Sequence, residues 1–204
     1  SSTSASIVKT SAIKEIISVD DQYICFKKPL FDTLLWASEY YHHPIGEVFL
    51  SFLPSILRKH TNRSIINIDE TSKYKINSAD KKFDLTSEQK VALKKLKKIE
   101  EFNPTLIYGV TGSGKTEIYL RLVEKLVKEK KSVLVLVPEI NLVPQMLDRF
   151  KKRFDGEVGT YHSKLTPNQR FKIWLKSRLG SLKIVIGTRS AVMMPLKNIG
   201  AIII

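Results

Sequence analysis

The sequence predicts an α/β protein in which helices cover a parallel sheet, preceded by a small, mostly helical N-terminal part. Three observations predict it. From Phe83 onward, short apolar runs alternate with amphipathic stretches of helix length. A glycine-rich loop joins one such run to one such helix. A 204-residue chain that is 43% hydrophobic has enough apolar side chain to bury a core.

In chain order, "PLFDTLLWASEYYHHPIG" reads as a helix, with Leu30, Leu34, Leu35 and Ala37 at helical spacing and Pro44 and Gly46 as its stop. "EVFLSFLPSILRK" is a second short helical piece broken at Pro54. Residues 61–82 are polar and read as a linker, which divides the chain into 1–60, 61–82 and 83–204. "LTSEQKVALKKLKKIEEF" is a helix opened by a capping box, Thr86 with Gln89. "TLIYG" is a short strand, the glycine loop follows it, and an amphipathic helix runs from Lys115 to about Lys130. "SVLVLVP" is a continuous apolar strand of the kind covered on both faces. The helix in "NLVPQMLDRFKKRF" tolerates Pro144 only in its first turn. "EVGTYH" and "LKIVIGT" are strands, "GAIII" opens another, and Thr166, Pro167 and Gln169 start the helix between the first two. Trp36 and Trp174 read as core; Tyr40 and Tyr41 read as core or as base-stacking rings.

"GVTGSGKT" carries the chemistry: Gly109, Val110, Thr111, Gly112, Ser113, Gly114, Lys115 and Thr116 form a phosphate loop between strand and helix. Gly112 and Gly114 let the backbone curl so that successive amides face one anion. The helix beginning at Lys115 adds its positive end. Lys115 reaches the β- and γ-phosphates, and the Thr116 hydroxyl is an Mg²⁺ ligand, so ATP and Mg²⁺ are the expected cofactors. Two roles are open for Gln89, adenine recognition or closure of its own capping box. Thr188, Arg189 and Ser190, past a strand end, suit a phosphodiester backbone; an ion pair is the other reading of Arg189.

The net charge is +14, and its placement is uneven: residues 1–82 hold 11 Lys/Arg and 9 Asp/Glu, residues 83–204 hold 23 and 11. Such a field attracts nucleic acid first; solvated helix faces are the bland account of "KKLKKIEE" and "RFKKRF". Cys25 is the one cysteine, so neither an internal disulfide nor a multi-cysteine zinc site fits. His42, His43 and His60 stand at no metal spacing. No window has the length of a membrane span, and a cytoplasmic setting is expected. A start without Met and an end in "AIII" read as a piece of a longer protein.

Taken together, "YGVTGSGKTEIYL", "VPEINLVPQMLDRF", "YHSKL", "IVIGTRSAVMMPLKNIGAIII" and, upstream, "ASEYYHHPIGEVFLSFLPSILRK" resemble the PriA family of bacterial replication-restart DNA helicases. The resemblance implies a RecA-like first helicase lobe of superfamily 2 over 83–204, and the end of a 3′ DNA-end-binding domain over 1–60. It implies that Gln89 reads adenine, that 109–116 is motif I, 138–140 motif Ia and 187–191 motif Ib. It implies an ATP-dependent 3′-to-5′ helicase acting on forked and single-stranded DNA, with primosome proteins and single-stranded DNA-binding protein as partners. An Asp-Glu-Glu-His motif II would follow Ile204, so the 204 residues alone are expected to hydrolyse no ATP.

The chain departs from the family pattern: the front of the DNA-end domain reads as missing or very short, and motif II and the second lobe with its arginine finger are not in these 204 residues. The stretch 61–82 is too short for the winged-helix domain that family places there, and the zinc the family holds has no ligands in this chain. Two other classes are weighed against the helicase: a P-loop enzyme such as a small-molecule kinase, and a nucleotide-holding DNA-binding stub without turnover.

Overall fold

The computed structural model describes residues 26–58, 75–76, 83–96, 101–156 and 158–204. Helix α1 (Lys28–Tyr40) has Pro29 in its first turn and buries Leu34 and Ala37. It stops earlier than Pro44 and for another reason. His42 takes a left-handed φ of 50°, and His42 and His43 donate to the carbonyls of Glu39 and Ser38 at 3.3 and 3.0 Å. That pattern closes a helix end, with histidine where glycine usually stands. Pro44 instead caps α2 (Ile45–Phe52), and Gly46 lies inside that helix, so neither is the expected stop. A 3₁₀ turn, Ser55–Arg58, follows Pro54.

α1 and α2 enclose a small cluster of Leu34, Ala37 and Val48 with Phe26, Leu30, Phe49 and Phe52, against which Met193 packs. Ile56 and Leu57 pack on the larger body in turn. Trp36, expected from the sequence to be core, is instead 53% exposed. Of the expected linker, only 75–76 lie among the described residues, and they form an unforeseen strand. β1 (Lys75–Ile76) pairs antiparallel with β3 (Phe154–Asp155). His60 lies outside the described residues.

Helix α3 (Ser87–Leu96) and helix α4 (Lys115–Lys128) precede the sheet. Its strands are β2 (Ser132–Leu136), β4 (Val158–Tyr161), β5 (Ile184–Gly187) and β6 (Ile199–Ile203), all parallel, in the order β4-β5-β2-β6. Helices α5 (Leu142–Arg153) and α6 (Pro167–Leu179) complete the alternation, with Pro144 in the first turn of α5. Val133, Val135, Ile184 and Ile186 turn one face toward α4 and α5, where Val123, Leu126, Val143 and Phe150 meet them. Leu134 and Val185 turn the other way, toward Phe171, Trp174 and Leu175 of α6. Successive strand residues point to opposite faces, so this continuous apolar run is what a sheet covered on both sides requires.

One expected strand is missing. Residues 102–110 form no ladder, and Leu106 and Tyr108 are 87% and 94% exposed. An apolar run makes pairing possible without fixing a partner. In this chain neither edge strand, β4 nor β6, has residues 102–110 against it.

Candidate nucleotide and nucleic-acid site

α4 runs antiparallel to the strand that follows it, so its first turn lies at the level where the parallel strands end. The turns after β2 and β5 open at that same end, and Leu136 pairs with Gly187 at the strand tips. The loop 109–116, residues 138–140 and residues 187–191 therefore share one edge of the sheet, where open α/β sheets take their ligands.

The loop is shaped by two left-handed glycines, Gly112 at φ 82° and Gly114 at φ 80°. A bond from the Ser113 amide to the Val110 carbonyl, 3.2 Å, closes its turn. Gly114 is the N-cap of α4, and no side chain caps that helix. An α-helix leaves its first amides without full internal pairing; here the Glu117 amide turns back to the Gly114 carbonyl at 2.9 Å, and no side chain accepts from those of Lys115 and Thr116. A side chain at Gly114 would also collide with Gln89: an added Cβ would lie 2.5 Å from its Nε2. The Lys115 ammonium is folded over the loop, donating to the carbonyls of Gly109 and, at 2.9 Å, of Val110.

Gln89 does two things. Its Oε1 accepts from the Thr86 amide at 3.0 Å while its own amide donates to Thr86 Oγ1, which is the expected capping box. Its Nε2 donates to the Ser113 carbonyl at 2.8 Å. The cap and the loop are thus held by opposite ends of one amide, a link that spacing alone does not reveal. The Nε2 donor is engaged with the loop itself.

Beneath the loop lies a set of ion pairs that sequence reasoning missed. Arg153, 2% exposed, donates to Glu117 and Glu124 at 2.7 Å each. Glu117 also accepts from Arg121 at 2.7 Å, and Arg121 donates to the Phe83 carbonyl at 3.0 Å. One turn before Arg153, Arg149 donates to Thr116 Oγ1 at 3.1 Å. "RFKKRF" is therefore not a solvated face throughout, because two of its arginines point at α4. The readable signal was their spacing, four residues apart on one helix.

In the turn after β5, Thr188 and Ser190 place their hydroxyls 3.4 Å apart. Arg189 is exposed and has no ion pair among the described residues. Glu139 is exposed as well. Burial, with Lys164 and Arg170 adding to it, pushes His162 below its ordinary imidazole value. Away from the sheet, Trp36 stacks on Tyr40 at 5.0 Å, and Tyr41 meets Tyr40 edge-on at 4.9 Å. All three rings are exposed. No cluster of potential metal ligands, and no helix long and apolar enough to cross a membrane, occurs among the described residues.

Comparison with known proteins matches residues 82–200 to the family described as the type III restriction enzyme res subunit. Residues 1–54 match a 3′ DNA-binding domain model of the PriA type. The replication restart protein PriA of Haemophilus influenzae is 49% identical over 127 residues, 62% of this chain and 17% of that protein. Its Bacillus subtilis counterpart is 44% identical over 123 residues, 59% of this chain and 15% of that protein. The Chlamydia pneumoniae counterpart is 30% identical over 266 aligned positions, 94% of this chain and 36% of that protein. That alignment is longer than the 204-residue chain, so the relative carries stretches with no counterpart here. The chain spans well under half the length of these relatives. By the model that matches 82–200, the chain belongs to the family of the type III restriction enzyme res subunit, and within it the resemblance is to the replication restart proteins PriA.

Proposed function

We propose that this chain carries the ATP site of an ATP-dependent 3′-to-5′ DNA helicase that acts at stalled or collapsed forks to restart replication and assemble the primosome. The observation that carries the reading is the α4 terminus: an uncapped helix start, behind two left-handed glycines, with the Lys115 ammonium folded over it. Amides converging with a positive helix end fit a polyphosphate, and Thr116 supplies a hydroxyl oxygen of the kind that takes Mg²⁺. Bound ATP would supply the free energy of its phosphoanhydride bond. The chain's own work is to hold and orient: the amides of 111–116 bind phosphate oxygens, and Lys115 exchanges loop carbonyls for phosphate. Gln89 keeps the loop at its distance from α3, with adenine recognition a further role carried from the family. The domain division 1–60, 61–82 and 83–204 stands on the same footing.

DNA is the proposed partner on two surfaces. Thr188, Arg189 and Ser190 offer two hydroxyls and an exposed guanidinium past the end of β5, a donor set for phosphodiester oxygens. The exposed rings of Trp36, Tyr40 and Tyr41 offer a platform for unpaired bases, within the stretch that matches a 3′ DNA-binding model. Primosome proteins, single-stranded DNA-binding protein and a cytoplasmic setting follow from the PriA resemblance.

ATP hydrolysis by the full-length protein, with and without forked DNA, tests the proposal. Stimulation by the fork is the expected result. Turnover indifferent to DNA would indicate another P-loop enzyme, and nucleotide binding without turnover would indicate a DNA-binding stub.

A further inference from the structure

The contact between Arg149 and Thr116 has consequences for how a metal enters the site, given the ATP reading on which this inference rests. The pairs Arg149 to Thr116 and Arg153 to Glu117 and Glu124 advance in the same sense along both helices, so α5 lies alongside α4. Arg153 is buried and bound to two carboxylates, which fixes that stretch of α5 against α4. Arg149 has no such restraint. It is exposed, and its one hydrogen-bond partner among the described residues is the Thr116 hydroxyl oxygen, at 3.1 Å. A guanidinium on that oxygen opposes a divalent cation there, since like charges would sit within a few ångströms in a site that also holds Lys115. A guanidinium also pairs well with phosphate oxygens, in a planar fork that an ammonium cannot reproduce.

We infer that Arg149 is a positioning residue that makes metal entry depend on phosphate. It holds the Thr116 hydroxyl, then exchanges it for a terminal phosphate oxygen as the cation arrives. Magnesium alone is held off, whereas magnesium with a polyphosphate is admitted. Arg149 also strengthens nucleotide binding when no metal is present.

The test is equilibrium binding of a fluorescent, non-hydrolysable ATP analogue to the full-length protein, in EDTA and across a magnesium titration. Arg149→Gln is expected to weaken binding in EDTA by about tenfold, the scale of one charge-assisted contact. It is expected to raise the stimulation by magnesium, the ratio of the two dissociation constants, by at least about threefold. Arg149→Lys keeps the charge but not the fork, and is expected to fall between wild type and Gln. A magnesium ratio unchanged in Arg149→Gln overturns the inference, as does a Lys variant equal to wild type. Failure of the wild-type protein to bind the analogue at any magnesium concentration would instead overturn the ATP reading.

Discussion

Helices α4 and α6 flank opposite faces of one sheet, and their first turns are finished in opposite ways. At α6, Thr166 accepts from the Gln169 amide, the Gln169 side chain accepts from the Thr166 amide, and Pro167 fills the first position, where an amide would be unpaired anyway. The helix satisfies its own donors and asks for nothing outside the chain. At α4 the cap is a glycine at φ 80°, no side chain accepts, and the cation of Lys115 leans over the opening. α6 is closed for stability, whereas α4 is left open, and its stability comes from below through Glu117, Glu124 and Arg153. A missing side-chain cap is shared with α1, α2 and α5; what sets the α4 start apart is the pair of left-handed glycines and the Lys115 ammonium beside it.

The largest expected effect breaks the support under α4. Arg153→Met removes the buried guanidinium that joins Glu117 to Glu124 beneath the loop, and should cost roughly 3–5 kcal/mol in urea unfolding. A loss below about 1 kcal/mol would mean that α4 does not depend on this arginine. Next, Lys115→Ala should lower ATP hydrolysis by the full-length protein by on the order of 10²–10³ while leaving the unfolding midpoint nearly unchanged. A rate within about threefold of wild type would remove the loop from the chemistry.

Two substitutions sharpen the contrast directly. Thr166→Ala should cost about 1 kcal/mol of stability through the lost cap, with nucleotide affinity unchanged. Gly114→Ala should cost a similar amount, about 1–2 kcal/mol for a left-handed alanine, and should also weaken nucleotide binding, because Gln89 must move. Equal effects of the two on nucleotide affinity would erase the distinction between the helix ends. Smaller still, Arg189→Ala should flatten the salt dependence of single-stranded DNA binding by roughly 0.7 in the log–log slope, the share of one phosphate contact. An unchanged slope would take Arg189 off the DNA.

The smallest effect is in pH. The folded state holds His162 below its ordinary value of 6.5, so below that pH the unfolded chain binds more protons than the native one. This contribution to stability is intact above pH 6.5 and declines as the pH falls through it. His162→Gln should make thermal unfolding less sensitive to pH between 8 and about 5.5; a steeper dependence would contradict the sign.

Much of this was legible in the sequence. The loop, both capping boxes, β2, β4, β5 and β6, and the place of Pro144 all rest on local rules that tertiary contacts did not override. The resemblance to PriA, read from short motifs in order, is matched by the relatives. What failed depended on partners far along the chain. Residues 105–109 have a strand's composition but pair with neither edge of the sheet, and Trp36 has helical spacing yet lies on the outer side of α1. Arg153 looks like any surface cation until Glu117 and Glu124 are brought to it from α4. For Gln89 the sequence leaves cap and adenine contact both open; the cap is present, and the other end of the amide grips the loop through Ser113, which only the fold could bring within 2.8 Å.

The open and closed helix ends can be compared in one measurement: backbone amide hydrogen exchange of the full-length protein with and without a non-hydrolysable ATP analogue and magnesium. Slowed exchange at 111–117 with no change at 166–170 is the predicted result, because the α4 start, unlike the boxed start of α6, leaves amides for phosphate to take up. Unchanged exchange at 111–117 when the analogue is bound, or equal slowing at both helix starts, would contradict it.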